Sequence, residues 1–118
     1  MRNFELATKA VDDPTRTRLL KLLEGGGLCG CQVQAVLGLA PSTVSRPLAS
    51  LKLAGLVENR GDGKRIEYAL TASSGNPHAQ PLLALLRAAL DRDPVVVADR
   101  KRLRAIQAIP QAELWAHA

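Results

Sequence analysis

Two cysteines occur in the chain, and they stand one glycine apart, as Cys29-Gly30-Cys31. Thiolates are soft donors that select soft ions, and a thiol pair is also open to oxidation. On an ideal α-helix, residues two apart point about 200° from each other. A shared ion therefore requires local unwinding of the backbone, which Gly30 and the glycines before it make cheap. A disulfide across so short a span is expected to be strained. Three other readings stand beside an ion site: two small residues buried in a core, a sensor of oxidants or reactive sulfur, and a small thiol oxidoreductase. The last lacks the expected CxxC spacing and strand-rich setting. His78 and His117 are far from the cysteines and from each other in sequence and read as surface residues. With no catalytic constellation in view, the chain is expected not to be an enzyme.

A second chemistry is carried by charge. Lys and Arg number 16 against 11 Asp and Glu, a net +5. Such a balance suits a polyanion, most commonly duplex DNA, or else is a basic solvated surface. Aromatic residues make up only 3%, namely Phe4, Tyr68 and Trp115. Single-stranded nucleic acid, which is held by stacking on rings, is a poor fit. The candidate contacts cluster in two places. Ser42, Thr43, Ser45 and Arg46 supply short hydroxyls and one guanidinium able to fork onto a guanine edge or a phosphate. Arg60, Lys64 and Arg65 offer cations to the backbone or minor groove. The hydroxyls also have a simpler use as helix caps.

The elements that must position these residues are legible in outline. Phe4 to Val11 makes a short first helix. Asp13-Pro14 starts a second, with Asp13 as N-cap and Pro14 at the first helical position, and Gly25-Gly26-Gly27 ends it. A third helix spans Cys31 to Leu37 and stops at Gly38. Pro41 opens a fourth, running to about Leu53, with Val44, Leu48 and Leu51 facing inward. Two short helices joined by a tight Gly-containing turn are a helix-turn-helix. Pro47, inside the second of them, is expected to bend or shorten that helix. Leu56 to Arg60 and Arg65 to Leu70 read as strands, with Gly61-Asp62-Gly63 as the hairpin turn between them. This hairpin is a wing.

Beyond the wing, Leu82, Leu83, Leu85, Leu86, Ala89 and Leu90 form an apolar stripe. Asp93-Pro94 then restarts a helix with Val96, Val97, Leu103, Ile106 and Ile109. So much apolar surface on a small domain implies dimerisation or a cover for its own core. At 118 residues the chain is expected to be one domain, residues 1–118, mainly α with a small β-hairpin: a dimeric winged helix-turn-helix with N- and C-terminal dimerisation helices. No apolar run approaches the ~20 residues needed to span a bilayer, and Met1 to Ala10 do not read as a signal peptide. The expected location is cytoplasmic, where cysteines are thiols rather than structural disulfides.

Taken in order, Asp13-Pro14-Thr15-Arg16, Leu28-Cys29-Gly30-Cys31, Ser42-Thr43-Val44-Ser45-Arg46, and Leu51 to Val57 followed by the Arg-rich wing and Tyr68 resemble the ArsR/SmtB family of metal-responsive repressors, in its arsenic-sensing branch. The resemblance implies a homodimer bound to double-stranded operator DNA. It also implies trivalent arsenic or antimony as the inducer, bound by Cys29 and Cys31. Two positions depart from that pattern: Gln34 stands where such sensors carry a third cysteine, and Pro47 where the family usually has histidine. The carboxylate and histidine set of the zinc-sensing branch is not apparent on the last helix.

Overall fold

A computed structural model describes residues 1–61, 66–73, 75–110 and 113. Its helices are α1 (Arg2–Ala10), α2 (Pro14–Leu22, extended by a 3-10 turn over Leu23–Gly25), α3 (Gly30–Leu37), α4 (Pro41–Leu53), α5 (Ala79–Ala88) and α6 (Pro94–Gln107). Its strands are β1 (Leu28–Cys29), β2 (Val57–Arg60) and β3 (Glu67–Leu70).

The boundaries follow local chemistry. The Asp13 carboxylate accepts the Arg16 backbone N–H at 3.0 Å, capping α2 behind Pro14. Asp93 does the same for α6 through Val95, at 2.9 Å. Gly38 ends α3 at φ 66°, a left-handed conformation that a Cβ disfavours. One residue of connection, Leu39, then leads to the N-cap Ala40 of α4, completing the helix-turn-helix. Pro47 does not end α4, which continues to Leu53. Val44, Leu48 and Leu51 are almost fully buried on its inner side, and this packing outweighs the one backbone hydrogen bond that proline removes.

The three strands form an antiparallel sheet in the order β1-β3-β2. Val57 faces Leu70 and Arg60 faces Glu67 in the wing. Gly61 begins the wing turn, and the remaining turn residues lie outside the described ones. The third strand was not expected. β1 is only two residues long, too short for any alternation to register, and it pairs Leu28 with Tyr68 and Cys29 with Glu67.

The core is aliphatic, as the scarcity of rings implies. Leu19, Leu20, Leu23, Leu28, Val33, Val36, Val44, Leu51 and Leu56 are its most deeply buried side chains. The Leu82–Leu90 stripe divides in two. Leu83 and Leu86 join the core, whereas Leu85 is 62% exposed. The helix ends at Ala88, and Leu90 takes φ 68°. α6 also covers the domain's own core: it lies across α2 and α3, burying Val96, Asp99 and Leu103 and leaving Val95 and Val97 outside.

Polar side chains join these layers. Lys21, 2% exposed, donates to the carbonyls of Leu86 (2.6 Å) and Ala89 (3.0 Å) at the end of α5, and pairs with Asp91 (2.9 Å) and Glu24 (3.0 Å). Arg100 of α6 bridges Glu24 and Asp91. Arg18 grips the buried Asp99 with two bonds of 2.8 and 2.9 Å, and this carboxylate raises the guanidinium pKa.

Candidate functional site

The cysteine pair sits where β1 becomes α3. Cys29 is the helix N-cap in an extended conformation (φ −75°, ψ 159°), and Cys31 lies in the first turn. Their Cα atoms are 5.4 Å apart and their sulfurs are joined as a disulfide. This corrects two expectations. The cysteines are not free thiols in the structure. Nor must a helix unwind to bring them together, because Cys29 precedes the helix and its extended backbone turns its side chain toward Cys31. Gly30 has no left-handed conformation, and an added Cβ there would meet only the Gln34 side-chain amide at 3.6 Å and the Tyr68 ring at 3.7 Å.

A capping box fixes the junction. The Gln32 backbone N–H donates to Cys29 Sγ (3.4 Å), and the Cys29 N–H donates to Gln32 Oε1 (3.1 Å). Cys29 is buried and Cys31 half-buried, so the pair meets solvent on the Cys31 side. Across the sheet, Glu67 faces Cys29. Its carboxylate lies over Gly27, where an added Cβ would stand 2.6 Å from Oε2. The pair is thus bound to the wing through β1 and β3, and to α4 through α3, which packs against it. Among the described residues, no group of three His, Cys, Asp or Glu is placed to hold a metal ion. The donor set offered is two sulfurs.

The second candidate surface is the outer side of α4. Ser42, Thr43, Ser45 and Arg46 are all exposed on it. The Ser45 hydroxyl donates to the Ser42 carbonyl at 3.1 Å. Arg46 makes no ion pair among the described residues. Arg60 differs: its guanidinium binds Glu58 at 3.0 Å and reaches the Leu70 carbonyl at 3.4 Å, lying along the wing. Lys64 and Arg65 lie outside the described residues, as does His117. His78 is on the surface, edge-on to Phe4 at 5.3 Å.

Residues 13–59 match the family described as "Bacterial regulatory protein, arsR family". Over 102 residues the chain is 39% identical to the HTH-type transcriptional regulator CmtR of Mycobacterium tuberculosis, covering 85% of this chain and 86% of CmtR. The chain belongs to the ArsR family. Solved ArsR-like structures agree with the fold. The NMR structure of the cadmium metal-sensor CMTR from Mycobacterium tuberculosis superposes with TM-score 0.59 at 31% identity, over 75% of this chain and 84% of that one. The homodimeric winged helix-turn-helix DNA-binding domain of Mb0332 from Mycobacterium bovis gives TM-score 0.64 at 27% identity, over 79% and 82%.

Membership of the ArsR family makes the chain a winged helix-turn-helix transcriptional regulator whose work is binding DNA, not catalysis. It removes the oxidoreductase reading of the cysteines. No helix among the described residues is long and apolar enough to cross a membrane. Sequence reasoning missed the β1–β3 pairing and two hydroxyls beside the α4 face, Thr15 and Ser50. Asp13, Thr15, Arg16, Ser42, Thr43, Arg46, Pro47 and Ser50 line one cleft of about 740 Å³. The 42, 46, 50 spacing was a signal for Ser50. No local signal pointed to Thr15, which a different helix brings to the cleft.

Proposed function

We propose that the chain is a homodimeric repressor that holds operator DNA with α4 and the wing and releases it when the reduced Cys29 and Cys31 thiolates take up a soft ion, trivalent arsenic or antimony. The observation that carries this reading is the position of the pair, at a junction shared by the wing strand and the helix supporting α4. The two sulfurs converge without rearrangement of α3. They suit a pyramidal metalloid needing few donors better than a tetrahedral ion, which takes four. Cadmium, the ion named for the CMTR structure, is therefore the comparison ion. On the DNA side, Ser42, Thr43, Ser45 and Arg46 face the major groove, with Arg60, Lys64 and Arg65 on the wing. A second copy covers the groove of about 230 Å³ lined by Phe4, Ala7, Thr8, Pro81, Leu82 and Leu85. The homodimer of Mb0332 supports that choice of occupant.

The test is fluorescence anisotropy of labelled DNA from the region upstream of the coding sequence. Reduced wild type, Cys29→Ser and Cys31→Ser are titrated with arsenite, antimonite and cadmium. All three proteins are expected to bind. Only wild type is expected to release, and at lower arsenite or antimonite than cadmium. Release of both variants at the wild-type concentration refutes the assignment. One observation favours a second reading, a sensor of oxidants or reactive sulfur: the pair stands joined as a disulfide. Release by peroxide in metal-free buffer, reversed by dithiothreitol, selects it.

A further inference from the structure

The cleft between α2 and α4 joins residues that belong to different parts of the fold. Ser42, Thr43, Arg46 and Ser50 come from the outward side of α4, inside the helix-turn-helix. Thr15 comes from the first turn of α2, outside it. The cations in the cleft are not equivalent. The Arg16 guanidinium is committed to the end of α1, donating to the Ala10 carbonyl at 2.6 Å and the Lys9 carbonyl at 2.8 Å. The Asp13 carboxylate is committed as well, to the Arg16 backbone N–H. Arg46 has no ion pair among the described residues, and neither the Thr15 nor the Ser50 hydroxyl serves the fold with a bond of its own. The cleft therefore holds an uncommitted guanidinium together with two hydroxyls that make no hydrogen bond among the described residues, with its fixed charges, Arg16 and Asp13, offsetting each other.

An α-helix lying in the major groove is flanked by the two phosphate backbones, and contacts to those phosphates fix its register. We propose that this cleft seats one backbone phosphate of duplex DNA, with Thr15 and Ser50 donating hydroxyl hydrogen bonds to it beside Arg46. Thr15 is then a positioning residue contributed by α2. The assignment rests on the DNA-binding function of the family and extends the contact surface beyond the helix-turn-helix. It also separates roles along α4: Ser42 and Thr43 at its start reach base edges, while Arg46 and Ser50 farther along turn toward the strand.

Thr15→Val removes the hydroxyl and keeps the shape; Ser50→Ala does the same at an exposed site. Full-length wild type and both variants are titrated against operator and a scrambled duplex at several salt concentrations. Loss of a hydrogen bond to a charged group is expected to weaken binding roughly tenfold per subunit, about a hundredfold for a dimer, equally on both duplexes, with unchanged salt slope because no charge is lost. A scan of operators bearing single uncharged methylphosphonates then locates the phosphate: one substitution weakens wild type distinctly more than it weakens Thr15→Val. Wild-type affinity for both duplexes in the two variants, or a loss confined to the operator, overturns the proposal. So does a methylphosphonate scan without such a position. If Thr15→Val melts well below wild type, Ser50→Ala alone decides by the same criteria.

Discussion

Replacing Lys21 by Met keeps most of the side chain's volume and removes its charge. The ammonium it deletes is 2% exposed and serves four acceptors. The carbonyls of Leu86 and Ala89 lose a shared cap, and the Leu86 bond is wholly buried. An orphaned buried acceptor costs about 1–3 kcal/mol. The two carboxylates are not stranded, because Arg100 still reaches both and Asp91 is half exposed. The 3–5 kcal/mol typical of a buried pair broken on one side is therefore not reached. The expected loss is about 2–3 kcal/mol, roughly 6–12 °C in Tm for a domain of this size. The pH dependence has a definite sign. Hydrogen bonds from Lys21, then Arg100, hold the Asp91 carboxyl below its ordinary pKa. Its contribution is present above the ordinary carboxylate range and disappears as pH falls through the lowered value. Lys21→Met should flatten that acid limb. The assay is thermal unfolding by circular dichroism from pH 2 to 7 at one fixed protein concentration, since the proposed dimer would make Tm concentration-dependent. A variant as stable as wild type, with the same acid limb, refutes the view that Lys21 clamps α5 and α6 to α2.

Four further outcomes are expected. Arg46→Ala should leave Tm within about 1 °C, because the side chain is exposed and unpaired, and should weaken operator binding by ~1–3 kcal/mol with a salt slope shallower by about one. Arg60→Ala should cost less than half of that, because Glu58 already holds its guanidinium; equal losses in parallel salt titrations would count against this ranking. Gln34→Cys, which places a third thiol one helical turn beyond Cys31, should lower the arsenite concentration that half-releases operator by more than tenfold; an unchanged midpoint removes Gln34 from the site. Leu85→Glu, at a side chain 62% exposed beside the α1–α5 groove, should leave a folded monomer in sedimentation velocity at micromolar concentration, and persistence of a dimer moves the interface elsewhere.

Much of the fold was legible because its signals are local. Asp13-Pro14, Gly38 and Pro41 mark helix ends through backbone chemistry that acts within one turn, and Val44, Leu48 and Leu51 mark an inner face by spacing alone. What was not legible depends on partners far along the chain. Lys21 lies between leucines on α2, where nothing local marks it as a clamp, and its partners Leu86, Ala89 and Asp91 stand 65 to 70 residues away. Cys29 was read with the helix that follows it, when pairing with Glu67 holds it extended. Pro47 argued for a broken helix because its cost is local, whereas the packing that overrides it comes from the rest of the core. Ser42, Thr43, Ser45 and Arg46, the DNA contacts expected from the sequence, are exposed on α4.

The pairing of Cys29 with Glu67 has a consequence for how this protein can vary. Peptide groups, not side chains, tie the cysteine segment to the wing. Exchange of Glu67 or Tyr68 leaves the ladder in place, apart from proline, which removes a donor, whereas Leu28 is also held by its side chain in the core. Spacing is another matter. Deleting Leu28 would set Cys29 opposite Tyr68 in place of Glu67, a shift of one in register that turns its side chain to the other face of the sheet. The segment should therefore accept many substitutions and almost no change in length.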